Sequence, residues 1–248
     1  MPRLLTYNVR RCLGLDGELS PTRIAEVIAA AEPDIVCLQE LDVNRRRTGF
    51  IDQAQAIADA LSMQMLFHAT LRVMEEQYGN AILTPEPAVL VKAEALPAHG
   101  RFWGEPRGAM WATLRIGGKS LQLINTHLGL RRRERFKQIE ALLGPEWLGH
   151  TACTGPVCLV GDFNTTSRSP LYRRIVSELR DVQYTLAGPR HRTYPSAFPV
   201  RRIDHVFIRG PVTVTRVGTV MTPLARIASD HLPLAVDFTL GATPGDQA

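Results

Sequence analysis

Polar side chains with catalytic or metal-binding chemistry stand at the ends of apolar runs in this sequence. In the stretch CLVGDFNTTSRSP, an apolar run ends in Asp162 and, two residues later, Asn164. Ligands of α/β proteins bind at strand ends, although the same residue types also form Asx turns that cap a following helix. The arrangement recurs along the chain, and the full set is Asn8, Glu40, His127, Asp162, Asn164, Asp204, Asp230 and His231.

The residue types in this set suggest one kind of chemistry. Buried charge without a partner is costly, so these side chains are expected to meet in one cleft. Glu40 is a hard oxygen ligand of the kind that Mg²⁺ prefers, and that ion also takes water and phosphate oxygens. Asp162 can deprotonate or orient a water molecule that Asn164 holds. His127 and His231 can donate hydrogen bonds to a phosphoryl oxygen as charge develops there, which predicts in-line hydrolysis of a phosphoester.

Asp204 is predicted to fix the tautomer of a histidine and to raise its basicity. The residues themselves leave open whether that histidine is His231 or the adjacent His205. A salt bridge between Asp204 and Arg202 is a further alternative. Asp230, in ASDHLPL, has the alternative of being only an N-cap.

The chain carries a formal net charge of +5, which mildly favours anionic partners. Its basic runs lie beside the polar strand ends, and arginine suits bidentate recognition of phosphate. Solvated loops of a basic protein would give single runs of this kind, but their recurrence favours an anionic substrate. The runs are Arg10–Arg11, Arg45–Arg47, Arg131–Arg133 and Arg201–Arg202.

The composition of the 248 residues, 45% hydrophobic and 21% charged, is that of an ordinary globular protein with a sizeable core. No run approaches the roughly 20 apolar residues of a membrane span. The N-terminus lacks the features of a signal peptide, so a cytoplasmic location is expected. Four cysteines without a C-x-x-C pair indicate reduced core thiols rather than a disulfide framework or a zinc site.

Strand and helix patterns alternate, with hairpins between them, and predict an α/β arrangement of mixed sheets with helices outside. Local signals include an N-cap at Ser20, a cap at Asp52 and a Gly117–Gly118 hairpin turn. Two similar halves, each a strand, a helix and a strand, would place four polar strand ends around one cleft. We expect one domain over residues 1–240 and a flexible tail over residues 241–248.

An ordered set of motifs resembles the endonuclease/exonuclease/phosphatase superfamily, whose fold is DNase I-like. The motifs are TYNV, LQE, YGNAIL, NTHL, GDFN, RIDHVF and SDHLPL, and they span residues 4 to about 238. Single motifs such as NTHL are weak, whereas the ordered set is specific. The resemblance implies a four-layer α/β sandwich, with two mixed β-sheets flanked by helices and the site at one end.

The resemblance also implies roles for individual residues. Glu40 would be the principal Mg²⁺ ligand with Asn8 beside it, and Asp230 a further acid of the metal site. Asp162 and Asn164 would activate and orient the nucleophilic water, and His127 would contact the scissile phosphate. Asp204 and His231 would form a His–Asp pair. Tyr78 and Arg107 are candidate substrate contacts at the rim of the site.

Departures from the family pattern narrow the expected substrate. The stretch QELD and Gln77 differ from the pattern of abasic-site endonucleases, and no late Trp lies near RTYPSAF. The sequence also shows no candidate for the exposed apolar hairpin of sphingomyelinase-type members. We predict a Mg²⁺-dependent hydrolase of phosphodiesters, with Mn²⁺ as a substitute and nucleic acid as one candidate substrate. The alternatives are a phosphoesterase acting on a phospholipid headgroup or a small phosphorylated metabolite, and a catalytically silent phosphate-binding module.

Overall fold

The computed structural model describes residues 1–98 and 105–241, and these form strands and helices in alternation. Trp103 and nearly all of the predicted tail lie outside the described residues. The strands are β1 (Arg3–Asn8), β2 (Ile35–Val43), β3 (Gln64–Val73), β4 (Glu76–Thr84), β5 (Val89–Ala95), β6 (Gly108–Ile116), β7 (Lys119–His127), β8 (Val157–Asp162), β9 (Arg180–Asp181), β10 (Asp204–Arg209), β11 (Val212–Thr219) and β12 (Leu234–Leu240). The helices are α1 (Pro21–Ala29), α2 (Gln53–Leu61), α3 (Arg132–Leu143), α4 (Pro170–Val176) and α5 (Pro223–Ala228).

The strands form two six-stranded sheets. The first has the order β11-β12-β1-β2-β4-β3, and the second has the order β5-β6-β7-β8-β10-β9. Each sheet contains one parallel pair, β1 with β2 and β7 with β8, while its other neighbours are antiparallel. These two pairs are the similar halves predicted from the sequence. Mixed sheets of this kind confirm the predicted fold class.

Three apolar clusters hold the layers together. One fills the space between the sheets, where Leu4 and Cys37 face Leu123 and Val160. A second packs α1, α2 and α5 on the outer face of the first sheet, and a third packs α3 and α4 on the outer face of the second. Burial of these apolar faces removes hydrocarbon from water and is the main favourable term in folding. The result is the four-layer sandwich, helix–sheet–sheet–helix, that the resemblance implied.

Local signals account for most element boundaries. The Ser20 side chain accepts a hydrogen bond from the amide of Arg23, and that of Asp52 accepts one from the amide of Gln55, so both predicted caps are confirmed. The β6–β7 hairpin turns at Gly117 and Gly118, as predicted, and both glycines have positive φ.

Strand β3 and helix α5 lie in segments that show no clear apolar period. Helix α3 ends at Leu143, before Gly144 and Pro145, because proline cannot continue a helix. No described helix has the length and apolarity needed to cross a membrane.

Candidate functional site

The predicted strand ends meet because the two parallel pairs end at the same end of the sandwich. In the first sheet Asn8 lies opposite Gln39, the residue before Glu40. In the second sheet His127 lies opposite Asp162. Strand β10 starts beside β8, with Asp204 opposite Asp162. Five strands from two sheets therefore open onto one cleft.

Glu40 is aimed into the cleft by a distortion of β2. The pairing of β2 with β4 shifts register between Leu38 and Leu41, and Glu40 has a positive φ of 63°. A left-handed conformation is unfavourable for a residue with a side chain, by roughly 1–3 kcal/mol, and such strain is concentrated at functional sites. The distortion leaves Gln39 wholly buried and the Glu40 side chain 24% exposed.

Asn8 links the carboxylates of the two sheets. Its Nδ2 donates to Glu40 Oε1 at 3.1 Å and to Asp162 Oδ2 at 3.0 Å. Its Oδ1 accepts from the backbone amide of Arg10 at 3.1 Å, which fixes the orientation of the carboxamide. Two acids that are 122 positions apart in the chain thus share one buried amide group.

Asp162 is the buried centre of the cluster. Its Oδ1 accepts from the backbone amide of Asn164 at 2.8 Å, so the Asx turn and the clustered site are both present. Asn164 has a φ of 48°, and its Nδ2 donates to the Leu128 carbonyl at 2.9 Å. Burial raises the pKa of Asp162 to about 7, against the opposing effect of His231. Asp162 therefore changes its proton occupancy near neutral pH.

His127 is a neutral imidazole at the same point. Burial lowers its pKa well below the ordinary value, and the cations Arg107 and His231 add to the effect. Arg107 Nη1 lies 3.2 Å from His127 Nδ1, and Asn164 Nδ2 lies 3.1 Å from His127 Nε2. His127 Nε2 also lies 3.4 Å from Asp162 Oδ2 and 3.9 Å from Glu40 Oε1. This nitrogen is directed into the cluster.

His231 pairs with Asp204, which resolves the alternatives left by the sequence. His231 Nδ1 lies 2.9 Å from Asp204 Oδ2, and Thr193 Oγ1 also donates to that oxygen. His231 Nε2 lies 3.7 Å from Asp162 Oδ2. Burial opposes the charged form of the imidazole, but the carboxylates of Asp204 and Asp162 outweigh it and raise the His231 pKa to about 10. An imidazolium thus lies between two carboxylates.

The two other predicted partners of Asp204, His205 and Arg202, lie beside Asp181 instead. His205 Nε2 lies 2.9 Å from the carbonyl oxygen of Thr165, and its ring stacks on Phe207 in the core. Arg202 Nη2 donates to Asp181 at 2.7 Å, so the suggested Asp204–Arg202 salt bridge is wrong. His205 and Arg202 therefore have structural roles.

Tyr78 and Arg107 lie behind the cluster rather than at an open rim. Arg107 Nη1 donates to the hydroxyl of Tyr78 at 3.3 Å, and both side chains are buried. The guanidinium of Arg47 lies over the Tyr78 ring at 5.6 Å. Burial lowers the Arg107 pKa, but Tyr78 and Glu40 outweigh that effect and raise it, so the guanidinium is a fixed positive charge beside Glu40.

Asp230 is the predicted site residue whose carboxylate has the weakest connection to the cluster. Its Oδ2 lies 3.8 Å from Arg10 Nε. Ser229 donates from its hydroxyl to the Asn8 carbonyl at 2.7 Å, and that hydroxyl lies 3.5 Å from Asp230 Oδ1. The role of Asp230 as a metal ligand remains a prediction.

Two residues that support the site are not among the candidates predicted from the sequence. Thr193 reaches Asp204 from a loop that no motif marked. Asn125, two residues before His127, lies wholly buried between the sheets and bonds to Gln39 at 2.8 Å. Its position within NTHL was a usable signal, since a carboxamide in an apolar strand must find partners.

The donor set fits a hard divalent cation. Glu40 and Asp162 bring carboxylate oxygens to one amide group, and Asp204 Oδ1 is buried without a partner among the described residues. Ligand atoms of Asp162, Asp204 and His231 also lie within 4.8 Å of one another. Burial raises the pKa of Glu40 as well as that of Asp162, as expected for carboxylates removed from water.

A two-sheet sandwich that gathers carboxylates and imidazoles at one end is the architecture of a phosphohydrolase. The Endonuclease/Exonuclease/phosphatase family profile matches residues 5–231, and the chain belongs to that family. Its members hydrolyse phosphoester bonds and are in general dependent on divalent metal ions. The recognised resemblance and the fold class are therefore confirmed.

Similar proteins cover nearly the whole chain. The uncharacterized protein YbhP of Escherichia coli K12 is 25% identical over 251 aligned residues, which cover 96% of each chain. An endonuclease/exonuclease/phosphatase from Beutenbergia cavernae has a TM-score of 0.79 at 23% identity, covering 98% of this chain and 72% of its own. A mannosyl-6-phosphatase from Bacteroides thetaiotaomicron has a TM-score of 0.75 at 21% identity, covering 97% of this chain and 100% of its own. At these identities the two structures support the fold alone.

Proposed function

We propose that this phosphohydrolase cleaves phosphodiester bonds with Mg²⁺ by in-line attack of water. The observation that carries the proposal is the position of Asp162 Oδ2. This one oxygen lies 3.0 Å from Asn8 Nδ2, 3.4 Å from His127 Nε2 and 3.7 Å from His231 Nε2. A carboxylate with a pKa near the working pH is suited to accept a proton from water.

The proposed roles follow from the protonation states of the cluster. Asp162 accepts the proton of the attacking water, and Asn164 orients that water. His127 donates from Nε2 to a phosphoryl oxygen. The His231 imidazolium, kept charged by Asp204, stabilises negative charge that develops as the bond breaks.

A divalent cation would be held by Glu40, with Asn8 and Asp230 as further oxygen donors. When bound, it would supply positive charge to the phosphate, and Mg²⁺ accepts such oxygen ligands. Mn²⁺ is the expected substitute because its ligand preference is similar. Arg107, fixed beside Glu40, adds a second positive charge on the same side of the cleft.

Two other functions are testable against this proposal. A phosphomonoesterase acting on a small phosphorylated metabolite would use the same cluster. A catalytically silent phosphate-binding module would need the cleft but not Asp162. The presence of both imidazoles, His127 and His231, and of the acids Glu40 and Asp162 favours catalysis over silent binding.

The decisive experiment is a substrate panel with Mg²⁺, Mn²⁺ or a chelator. The panel contains DNA, RNA, phospholipid, bis(p-nitrophenyl) phosphate and p-nitrophenyl phosphate, so that diesters and monoesters are compared directly. Asp162→Asn is the matched inactive control. No cation-dependent release from any diester would contradict the proposal, and cleavage of the monoesters alone would establish the first alternative. A nuclease would in addition lose affinity steeply with salt through counterion release.

A cytoplasmic location is part of the proposal. Its support is that all four cysteines are buried free thiols, namely Cys12, Cys37, Cys153 and Cys158. Proteins of oxidising compartments more often pair their cysteines in disulfides. Fractionation of cells that produce the native protein would test the location.

A further inference from the structure

Large apolar side chains stand exposed on the loops around the cleft. Phe50 is 62% exposed, Met74 is 89% exposed and Phe198 is 76% exposed. Such exposure of large apolar groups marks interaction sites when several occur together. We call the set the apolar rim, and its members are Phe50, Val73, Met74, Leu130, Phe198 and Val200.

The apolar rim lies at the catalytic end of the sandwich. Phe50 is on the loop that follows β2, the strand of Glu40, and Leu130 lies three residues beyond His127. Val73 is the last residue of β3 and Met74 the first of the β3–β4 turn, which lies beyond the end of β2 because Val43 pairs with Gln77.

One part of the apolar rim is contiguous, and another part lies on a loop that contacts the cluster. A surface depression of about 510 Å³ joins Phe50 to Val73 and Met74. Phe198 and Val200 lie on the loop after Tyr194, whose ring centroid is 4.9 Å from that of His231. The sequence had offered no candidate for an exposed apolar hairpin, and the β3–β4 turn corrects that expectation.

The loops of the apolar rim are also basic. Residues 44–52, 72–76, 128–133 and 194–202 contain nine arginines and three carboxylates. Arg45 is paired with Glu76 at 3.2 Å, Arg47 with Asp42 at 2.7 Å and the buried Arg202 with Asp181 at 2.7 Å. Arg46, Arg133 and Arg201 are exposed within four residues of rim side chains. The surface around the cleft therefore combines apolar tips with positive charge.

We propose that the apolar rim docks this protein on an anionic phospholipid bilayer, so that the cleft faces phosphoesters at the lipid surface. The inference rests on the proposed function, for which it names a substrate class. Apolar side chains enter the boundary between headgroups and acyl chains, and arginines near the surface are attracted to anionic lipids. Four of the six members of the apolar rim have no aromatic ring to stack on bases, which favours lipid over single-stranded nucleic acid; they are Val73, Met74, Leu130 and Val200.

Vesicle binding by the full chain tests the docking without requiring turnover. The probes are phosphatidylcholine vesicles with and without phosphatidylglycerol, measured by co-sedimentation. The double substitution Phe50→Asp and Met74→Asp should lower the partition coefficient on anionic vesicles by about tenfold or more. The matched control is Val89→Asp, an equally exposed apolar residue of β5 that lies opposite Thr113, far from His127.

Each outcome bears on the docking. Absence of wild-type binding to anionic vesicles, or an equal loss in Val89→Asp, would overturn it. If the wild type bound single-stranded RNA but not vesicles, and the double variant lost the RNA binding, the apolar rim would be assigned to nucleic acid instead. Hydrolysis of bis(p-nitrophenyl) phosphate tests the proposed function separately, since it should be unchanged in the double variant. Asp162→Asn should bind vesicles normally while hydrolysing nothing, which separates a failure of docking from a failure of catalysis.

Discussion

The side chain of Gln39 donates a 2.8 Å hydrogen bond to Asn125 across the interior between the two sheets. Asn125 in turn donates to the carbonyls of Leu38 at 3.1 Å and Ala81 at 2.9 Å, where the β2–β4 register shifts. The second sheet therefore holds the distortion that aims Glu40. His127 lies two residues beyond Asn125, so both sheets are tied together beside the site.

Replacement of Asn125 by Ala should weaken both the fold and cation binding. It removes the side-chain donor to two buried carbonyls and one of the acceptors of the Gln39 amide, which should lower the free energy of unfolding by about 3 kcal/mol. The cation concentration for half-maximal activity should rise severalfold, because Glu40 loses its support. Denaturant unfolding and cation titrations measure the two effects.

Gln122→Ala is the matched control, since Gln122 accepts from Trp111 and Thr113 at the other end of β7. It should lower stability without changing the cation requirement. Equal cation requirements in Asn125→Ala and Gln122→Ala would show that the contact across the sheets does not position Glu40.

Glu40→Gln should raise the cation concentration needed for half-maximal activity by about tenfold or more, because a neutral amide replaces the principal anionic ligand. Titration of activity and of cation binding by calorimetry would measure the change. Glu94→Gln, at an exposed acid of β5, should leave both titrations unchanged. Equal affinities in Glu40→Gln and wild type would place the cation elsewhere.

His231→Ala should slow turnover by about 10²–10⁴-fold, as expected for loss of an acid–base group. Asp204→Asn should also slow it, since the carboxylate that keeps His231 charged is removed. Single-turnover rates on a soluble diester are the measurement. Asp181→Asn, which breaks the buried contact with Arg202, should reduce stability but leave the rate constant of the folded enzyme unchanged. An unaltered rate in His231→Ala would remove this residue from the mechanism.

Asp162→Asn should stabilise the protein at pH 8 in chelator while abolishing activity. Burial raises the Asp162 pKa to about 7, from an ordinary value of 3.8. The folded state therefore binds more protons between those values, so wild-type stability falls as pH rises through this window. The variant lacks this cost, so its free energy of unfolding should exceed that of the wild type by about 1 kcal/mol or more at pH 8. The difference should vanish near pH 4.

Asp237→Asn should change the stability at pH 8 in the opposite direction. The hydrogen bond from Arg3 lowers the Asp237 pKa, so this carboxylate contributes stability that is present above its ordinary pKa and lost in acid. The variant should therefore be less stable than wild type at pH 8. A less stable Asp162→Asn at pH 8 would mean that the contact with His231 outweighs the burial of the carboxylate.

The sequence predicted those features that depend on near neighbours. The caps at Ser20 and Asp52 and the turn at Gly117–Gly118 involve contacts within a few residues. The sequence also predicted the polar ends of apolar strands, because a charged group in an apolar run must lie near the surface or a partner. The family motifs then supplied the order of these strand ends along the chain.

Tertiary structure decided which of these polar groups touch. Successive residues of a strand point to opposite faces, so the adjacent Asp204 and His205 are directed to different partners, His231 and the Thr165 carbonyl. The Asp230 carboxylate lies 3.8 Å from Arg10 Nε, and its place at the metal site stays a prediction.

By itself the sequence determined which residues end the strands and which face of each strand or helix is apolar, because these follow from short-range sterics and side-chain period. The distances among Asn8, Asp162 and His231 depend instead on how two separate sheets pack. Exposure of the apolar rim was likewise a tertiary outcome, since an apolar side chain in a loop stays in water only if no other layer covers it. Contacts between distant segments are set by the packing of whole faces, which no local pattern specifies.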